Sequence, residues 1–405
     1  MTQFFHSLSR WLLAVFLLVA LAACQPTQPQ TAHPSVEPAN AEATPATRAL
    51  LANLHDIKNQ GFLFGHQDTT AYGVQWENQP DQSDVKRVTG DFPALYGWDV
   101  GHLERGDDSN LDGVSFQRMR QWMLEAFERG GVVTVSWHMT HPGTGADSWN
   151  TDTGAASLLP GGEDHRALKA SLDRFAAFVR SLEVDLPEGG RGPMPLIFRP
   201  WHEHNGDWFW WAKGATAEQD YIELWRFTVD YLTQTQGLDN LLFAFSPDRS
   251  RLALDDFETA YLYGYPGDGY VDILGIDNYW DLGHGSNEAP KAENLKQFVA
   301  SLTELAKLAA ERHKLPAVTE GGQDTLFEAD FFTERLLSGL LANEWTRQMA
   351  YVQLWRNANR ARENKEHFYV PYPGHPAEAD FLEFYDHPAT LFESDLPALY
   401  RHAQD

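Results

Sequence analysis

The stretch Leu196-Ile197-Phe198-Arg199-Pro200-Trp201-His202-Glu203 begins as an apolar run and ends on a carboxylate. Leu196–Trp201 reads as a short strand, because a brief apolar run bounded by turn signals favours extended, buried backbone. The same pattern recurs along the chain, with candidate strands at Phe62–Asp68, Ala94–Val100, Val132–His138, Leu241–Asp248, Ile273–Tyr279, Ala317–Gly321 and Ala350–Trp355. Helical periodicity falls between them, at Phe116–Arg129, Asp164–Ser181, Glu218–Thr235, Asn294–His313 and Asp330–Leu341. Between the fifth and sixth strands Gly264, Pro266, Gly267 and Gly269 weaken the helical signal. Repeated βα units fit either a closed (β/α)8 barrel or a doubly wound open sheet. The polar residues decide between them. His66, Asp99, His138, Glu203, Asp248, Tyr279, Glu320 and Trp355 each close a different candidate strand. A barrel assembles its site from the ends of several strands, whereas an open sheet gathers it at one crevice. The predicted fold is therefore α/β, a single (β/α)8 TIM barrel.

The chain has 405 residues, with 31 Lys and Arg against 57 Asp and Glu and a net charge of −26. Binding nucleic acid needs a dense cationic surface, so nucleic acid is excluded as the main partner. Hydrophobic residues at 43% and charged residues at 22% are the proportions of a globular chain. Fourteen Trp and 14 Tyr point either to a ligand-stacking surface or to a large aromatic core.

The long apolar run Trp11–Ala23 follows Arg10 and is too short to span a bilayer, but it has the proportions of a secretory signal. It ends Leu21-Ala22-Ala23-Cys24, which looks like a bacterial lipobox, and Cys24 is the single cysteine. The expectation is removal of residues 1–23 and a lipid anchor on Cys24, placing the protein at the bacterial cell envelope, on the outer membrane. One cysteine allows no intramolecular disulfide. Residues 24–46 are rich in Pro, Thr, Ala and Gln without apolar periodicity and read as a spacer, leaving residues 47–405 as one catalytic domain. A monomer is expected.

Glu203 and Glu320 each follow an apolar strand directly, the fourth and the seventh, which face each other across a barrel mouth. Hydrolysis of a glycosidic bond needs two such carboxyl groups, one protonated and one ionised. Around Glu203 runs Trp208-Phe209-Trp210-Trp211, and sugar C–H faces pack on such rings. Alternate residues of a local extended stretch point opposite ways, so part of this run belongs to the core. Trp355 offers a platform at the reaction centre, and Arg356 and Asn357 can donate hydrogen bonds to hydroxyls.

The segment Arg199-Pro-Trp-His-Glu-His-Asn-Gly-Asp-Trp-Phe-Trp-Trp211 resembles the acid/base motif of glycoside hydrolase family 26, the β-mannanases. Phe64-Gly65-His66-Gln67, Tyr265-Pro266-Gly267, Gly275-Ile276-Asp277-Asn278-Tyr279, Thr319-Glu320-Gly321 and Leu354-Trp355-Arg356-Asn357 extend the resemblance in the same order. It implies a (β/α)8 barrel and cleavage, with retention, of β-1,4-mannosidic bonds in mannan, glucomannan, galactomannan or manno-oligosaccharides. It also implies Glu203 as acid/base and Glu320 as nucleophile. His202 would contact substrate or tune Glu203, and Tyr279 would hydrogen-bond the nucleophile. His138 and Trp355 would line the subsite of the cleaved mannose, with Trp208, or Trp149, beyond the bond. The same scaffold also serves β-glucans and β-1,3-xylan, and a surface sugar-binding protein without turnover would use the same aromatics. Two carboxylates speak against a pure binder.

No cofactor is expected. His138-Met139-Thr140-His141 and His202-Glu203-His204 do not match a zinc pattern, since residues 202 and 204 would point apart on extended chain. Asp108-Ser109-Asn110-Leu111-Asp112-Gly113 matches half of a calcium loop, but Met119 stands where the bidentate acid belongs. Gly143-Thr144-Gly145 lacks the third glycine of a dinucleotide fingerprint. The Gly101–Gly113 segment follows the second strand, so Asp112 is expected at the barrel mouth. There the loop would narrow the distal glycone end and favour release of short oligosaccharides from chain ends, or else lie solvated without ligand contact.

Overall fold

The computed structural model describes residues 36–401. Eight strands carry the fold: β1 (Phe62–Gln67), β2 (Leu95–Asp99), β3 (Val132–Ser136), β4 (Leu196–Arg199), β5 (Leu241–Phe245), β6 (Ile273–Asn278), β7 (Leu315–Gly321) and β8 (Tyr351–Leu354). Each pairs in parallel with its successor, and β8 pairs with β1, Leu63 opposite Tyr351 through His66 opposite Leu354. The sheet thus closes on itself as the predicted barrel, and every residue of these strands is buried. Such burial on both faces explains why the strands read as near-continuous apolar runs instead of alternating ones.

The helices cover the barrel as their periodicity dictates. Helix α1 (Pro45–Ile57) starts with Pro at its first position, and Thr44 caps it by accepting from the Thr47 N–H. Helix α2 (Phe116–Glu128) buries Met119, Trp122, Met123 and Ala126, spaced three and four apart, and its Trp122 stacks on Trp98 of β2 with ring planes 4° apart. Helix α3 (His165–Arg180) sets Phe175 on Phe198 of β4 at 4.3 Å between ring centres. Helices α4 (Glu218–Asp230) and α5 (Lys291–Glu311) complete the long members. Between β5 and β6 the helical structure is limited to the short helix Phe257–Tyr261 and three single 3-10 turns, where glycine and proline crowd the sequence. Between β7 and β8 the expected helix is a widened turn, Phe332–Leu337, running into Ser338–Leu340.

The expected spacer ends sooner than its composition suggests. From Val36 the chain already lies on the barrel: the Ala39 N–H donates to the Asp272 carboxylate at 2.6 Å, and the Asn40 side-chain amide donates to Asp239 at 3.0 Å. Both acids sit just before strands, β6 and β5, at the barrel end opposite the strand C-termini. Composition hides this contact because it is made by backbone and short polar groups, with no apolar stripe to see. Cys24, the apolar run before it and most of the spacer lie outside the described residues. Among the described residues no helix is long and apolar enough to cross a membrane.

Inside the barrel, Gln353 donates to Gln67 across 2.7 Å, and both are buried. Gly97 leaves room for this bond, since a Cβ there would fall 2.1 Å from the Gln67 oxygen and from the Gln353 nitrogen alike. Gly97→Ala should therefore break the bond and lower unfolding free energy by about 1–3 kcal/mol in urea titration. Gly269→Ala, where a Cβ meets nothing within 4 Å, should stay within about 0.5 kcal/mol of the parent.

Candidate active site

The loop after β4 holds its acid by an unusual backbone. Trp201 and Glu203 both have positive φ, 51° and 54°, a region that non-glycine residues seldom enter. Neighbours fix both: Tyr221 donates its hydroxyl to the Trp201 carbonyl at 2.9 Å, and the Trp211 indole N–H donates to the His202 carbonyl at 2.8 Å. The Glu203 N–H donates to the Ser246 carbonyl at 2.8 Å. This turn aims the Glu203 carboxyl at the barrel mouth, where the Trp208 indole N–H donates to its Oε2 at 2.7 Å.

Glu320 comes from β7 and is held from two sides. The Tyr279 hydroxyl donates to its Oε1 at 2.8 Å, and the Arg199 guanidinium donates to its Oε2. Arg199 also grips Asp277 at 2.6 Å, and Asp277 accepts from the Thr319 hydroxyl at 2.8 Å. One carboxylate oxygen each of Glu203, Asp277 and Glu320 lies within 4.8 Å of the other two. Burial opposes the Arg199 charge, but Asp277 and Glu320 hold it above its ordinary pKa. At Glu203 burial, then the charges of Asp248, Asp277 and Glu320, push the carboxyl well above its ordinary range, against the pull of the Trp208 N–H. The two acids therefore sit in opposite environments, one facing a cation and a phenol, the other facing negative charge.

A cleft of about 640 Å³ opens over them. His138, Trp149, Trp208, Tyr279 and Trp355 all line it, as do both acids. Trp149 is 52% exposed and stacks on His138, ring centres 5.4 Å apart and planes 20° apart. Of the aromatic run Trp208 and the largely buried Phe209 line the cleft, whereas Trp210 and Trp211 are fully buried and spend their N–H groups on the Met139 and His202 carbonyls. Three expected contacts lie a layer behind the surface. His202 is buried with its Nε2 3.2 Å from the His138 Nε2, while His138 directs its Nδ1 to Asp99 at 2.8 Å. Arg356 and Asp112 are paired at 2.8 Å, and Arg356 also forks onto both Glu363 oxygens at 3.0 Å. A buried cation and acid hold one another there, so neither projects into the cleft.

The motifs set aside in the sequence are tied up elsewhere. His204 binds the Tyr263 carbonyl at 2.6 Å and His141 the Gly154 carbonyl at 3.2 Å, each away from the cleft histidines. Asn110 spends its oxygen on the Asp112 and Val114 N–H groups. Among the described residues the three clustered acids Glu203, Asp277 and Glu320 come near enough to share an ion. Arg199 already supplies the positive charge at two of them.

Comparison with known proteins agrees with this geometry: the family described as Glycosyl hydrolase family 26 matches residues 39–352. The chain belongs to glycosyl hydrolase family 26. A mannan endo-1,4-β-mannosidase of Bifidobacterium adolescentis is 33% identical over 374 residues, 89% of this chain but 36% of that protein. A mannan endo-1,4-β-mannosidase of Bacillus subtilis is 31% identical over 287 residues, covering 66% of this chain and 73% of its own length. The chain thus spans about a third of the first relative and about three quarters of the second. Among solved structures, a family 26 β-mannanase from Bacteroides ovatus superposes with a TM-score of 0.80 at 38% identity, over 89% of this chain and 99% of that one.

Two members of this family 26 site were not singled out from sequence, Arg199 and Asp277. A signal was present. Each is a charge embedded in an apolar strand run, which can be buried only when paired. Arg199→Met should leave Asp277 and Glu320 uncompensated and lower unfolding free energy by about 3–5 kcal/mol in urea titration, with Arg199→Met/Asp277→Asn recovering part of the loss.

Proposed function

We propose that this chain hydrolyses β-1,4-mannosidic bonds in mannan, glucomannan or galactomannan by double displacement, with retention of configuration. The observation that carries the reading is the pair Glu203 and Glu320, with oxygens within 4.8 Å and opposed electrostatic settings. Retaining enzymes hold their carboxyls about 5–5.5 Å apart, and inverting ones need about 6.5–9.5 Å to admit water between them. The close spacing favours direct attack.

In the first step a Glu320 oxygen bonds to the anomeric carbon as the glycosidic C–O bond breaks. Glu203 gives its proton to the departing oxygen. In the second step Glu203 takes a proton from water, whose oxygen bonds to the anomeric carbon and releases Glu320. Bonding of Glu320 to the sugar cancels its negative charge, removing one of the influences that raise Glu203. The acid of the first step thereby becomes the base of the second. Tyr279 and Arg199 stabilise the Glu320 charge before attack and after release. Trp149, Trp208 and Trp355 supply faces for sugar rings.

The finer reading is release of short oligosaccharides from chain ends. It rests on the place of the Gly101–Gly113 loop after β2, whose Asp112 is locked to Arg356 behind the cleft wall. The proposal extends to a monomer held at the cell envelope by a lipid on Cys24.

Chromatography of products from linear mannan, glucomannan and β-glucan tests the function. Mannose oligomers are expected from the mannans, with turnover lowered about 10²–10⁴-fold in Glu203→Ala and at least as far in Glu320→Ala. Near parental turnover in both variants would overturn the reading. Early dominance of one short product would support chain-end attack, and a spread of lengths would mean internal cleavage. Release from β-glucan alone would make the chain a glucanase on the same scaffold, and binding without release would make it a sugar-binding protein.

The pH profile has a definite sign. Glu203 must be protonated, so kcat/KM should fall as pH rises through its raised pKa. Trp208→Phe removes the hydrogen bond that favours the ionised form, and the alkaline limb should move to higher pH. Asp248→Asn removes a negative neighbour, and the limb should move down. Limbs that stay in place in both variants would show that another group controls that side.

A further inference from the structure

Among the described residues two large hydrophobic side chains are exposed, Trp149 at 52% and Phe327 at 65%. Trp149 stands on the cleft wall. Phe327 stands on the wall of a second cavity of about 380 Å³, formed by the loops after β6 and β7. The two spaces share Tyr279, His284, Ser286 and Tyr369 as common walls. Tyr279 is the residue whose hydroxyl binds Glu320, so the second cavity opens beside the reaction centre itself.

The backbone is shaped to display Phe327. Thr325 and Leu326 both have positive φ, 65° and 43°, which is costly for a β-branched residue and its bulky neighbour. The turn buries Leu326 and swings Phe327 outward. Opposite, Gly283 has φ +103°, and a Cβ there would fall 2.6 Å from Gln323 and 3.5 Å from the Phe327 ring. Beside it, a Cβ on Gly285 would meet nothing within 4 Å. Asp324, Thr325, His284 and Ser286 supply hydrogen-bonding groups around the exposed Phe327 ring. A flat apolar ring bordered by hydroxyl and carboxylate groups suits a neutral sugar better than an apolar ligand.

Resting on the mannan reading above, we infer that this side cavity receives a hexosyl branch carried by the backbone sugar at the reaction centre, with Phe327 as its stacking platform. The substrate class is then a substituted mannan such as galactomannan. The main-chain path runs along the tryptophans of the cleft, and the shared Tyr279 wall is where a substituent leaves that path.

The test compares kcat/KM on a linear and a galactosylated manno-oligosaccharide for the parent chain, Phe327→Ala and Gly285→Phe. Neither position lines the cleft, and both are open to substitution without burying or crowding core atoms. The expected result is a fall of about tenfold on the branched substrate with the linear one unchanged, in both variants. An unchanged ratio would overturn the inference. So would a parallel fall on both substrates, which would make the cavity a main-chain subsite. Failure of the parent chain to cleave either mannan would instead overturn the underlying reading, and this one with it.

Discussion

Arg199 is the cation on which the centre of the barrel depends. It lies at the end of β4, is almost wholly buried, and bonds to Asp277 on β6 and Glu320 on β7 at once. A barrel mouth lined with carboxylates would repel itself without such a charge, and other arginines around the mouth are occupied: Arg249 is paired with Asp281, Arg251 with Asp207, and Arg356 with Asp112 and Glu363. Because guanidinium is planar and cannot lose its proton, it serves two acids at once and fixes their relative position. Three strands are registered through a single side chain.

That arrangement makes the two acids unequal, and the inequality is what the proposed hydrolysis requires. Glu320 has its charge met on both oxygens. Glu203, a few ångströms away, meets Asp248, Asp277 and Glu320 with a single neutral donor, Trp208. Arg199 hydrogen-bonds Asp277 and Glu320 but not Glu203, whose carboxyl is pushed above its ordinary range by burial and neighbouring negative charge. The reach of one side chain thus sets two residues of the same type in different electrostatic surroundings.

The eight strands were legible because burial on both faces leaves an uninterrupted apolar run, and the acids were legible because each ends such a run. What single positions do was harder to read. Trp208 and Trp210 differ by two places in the sequence, yet one borders the cleft and the other is core, since the loop is a set of turns with no period of two. Arg356 looked available to a sugar until the fold brought Asp112 and Glu363 to it across the chain. The strap at Val36–Ala46 was invisible because its anchors are backbone N–H groups and one asparagine. Phe327 gave no sign either: a lone aromatic after a strand reads as core, and only the left-handed turn at Thr325 and Leu326 turns it outward.

The means of holding the two acids follow from what each must do. In the proposed double displacement Glu320 carries charge until it attacks, and a fixed cation and a phenol hold it. In the same proposal Glu203 gains and loses a proton within each cycle. A cation bound to it would resist protonation, and a tight acceptor would resist ionisation. It is placed instead through its own backbone, by left-handed φ at Trp201 and Glu203 that Tyr221 and Trp211 hold in place from behind. Strain of this kind fixes where a side chain starts without choosing its charge. The packed tryptophans behind the loop thus place the acid without a charged contact to it.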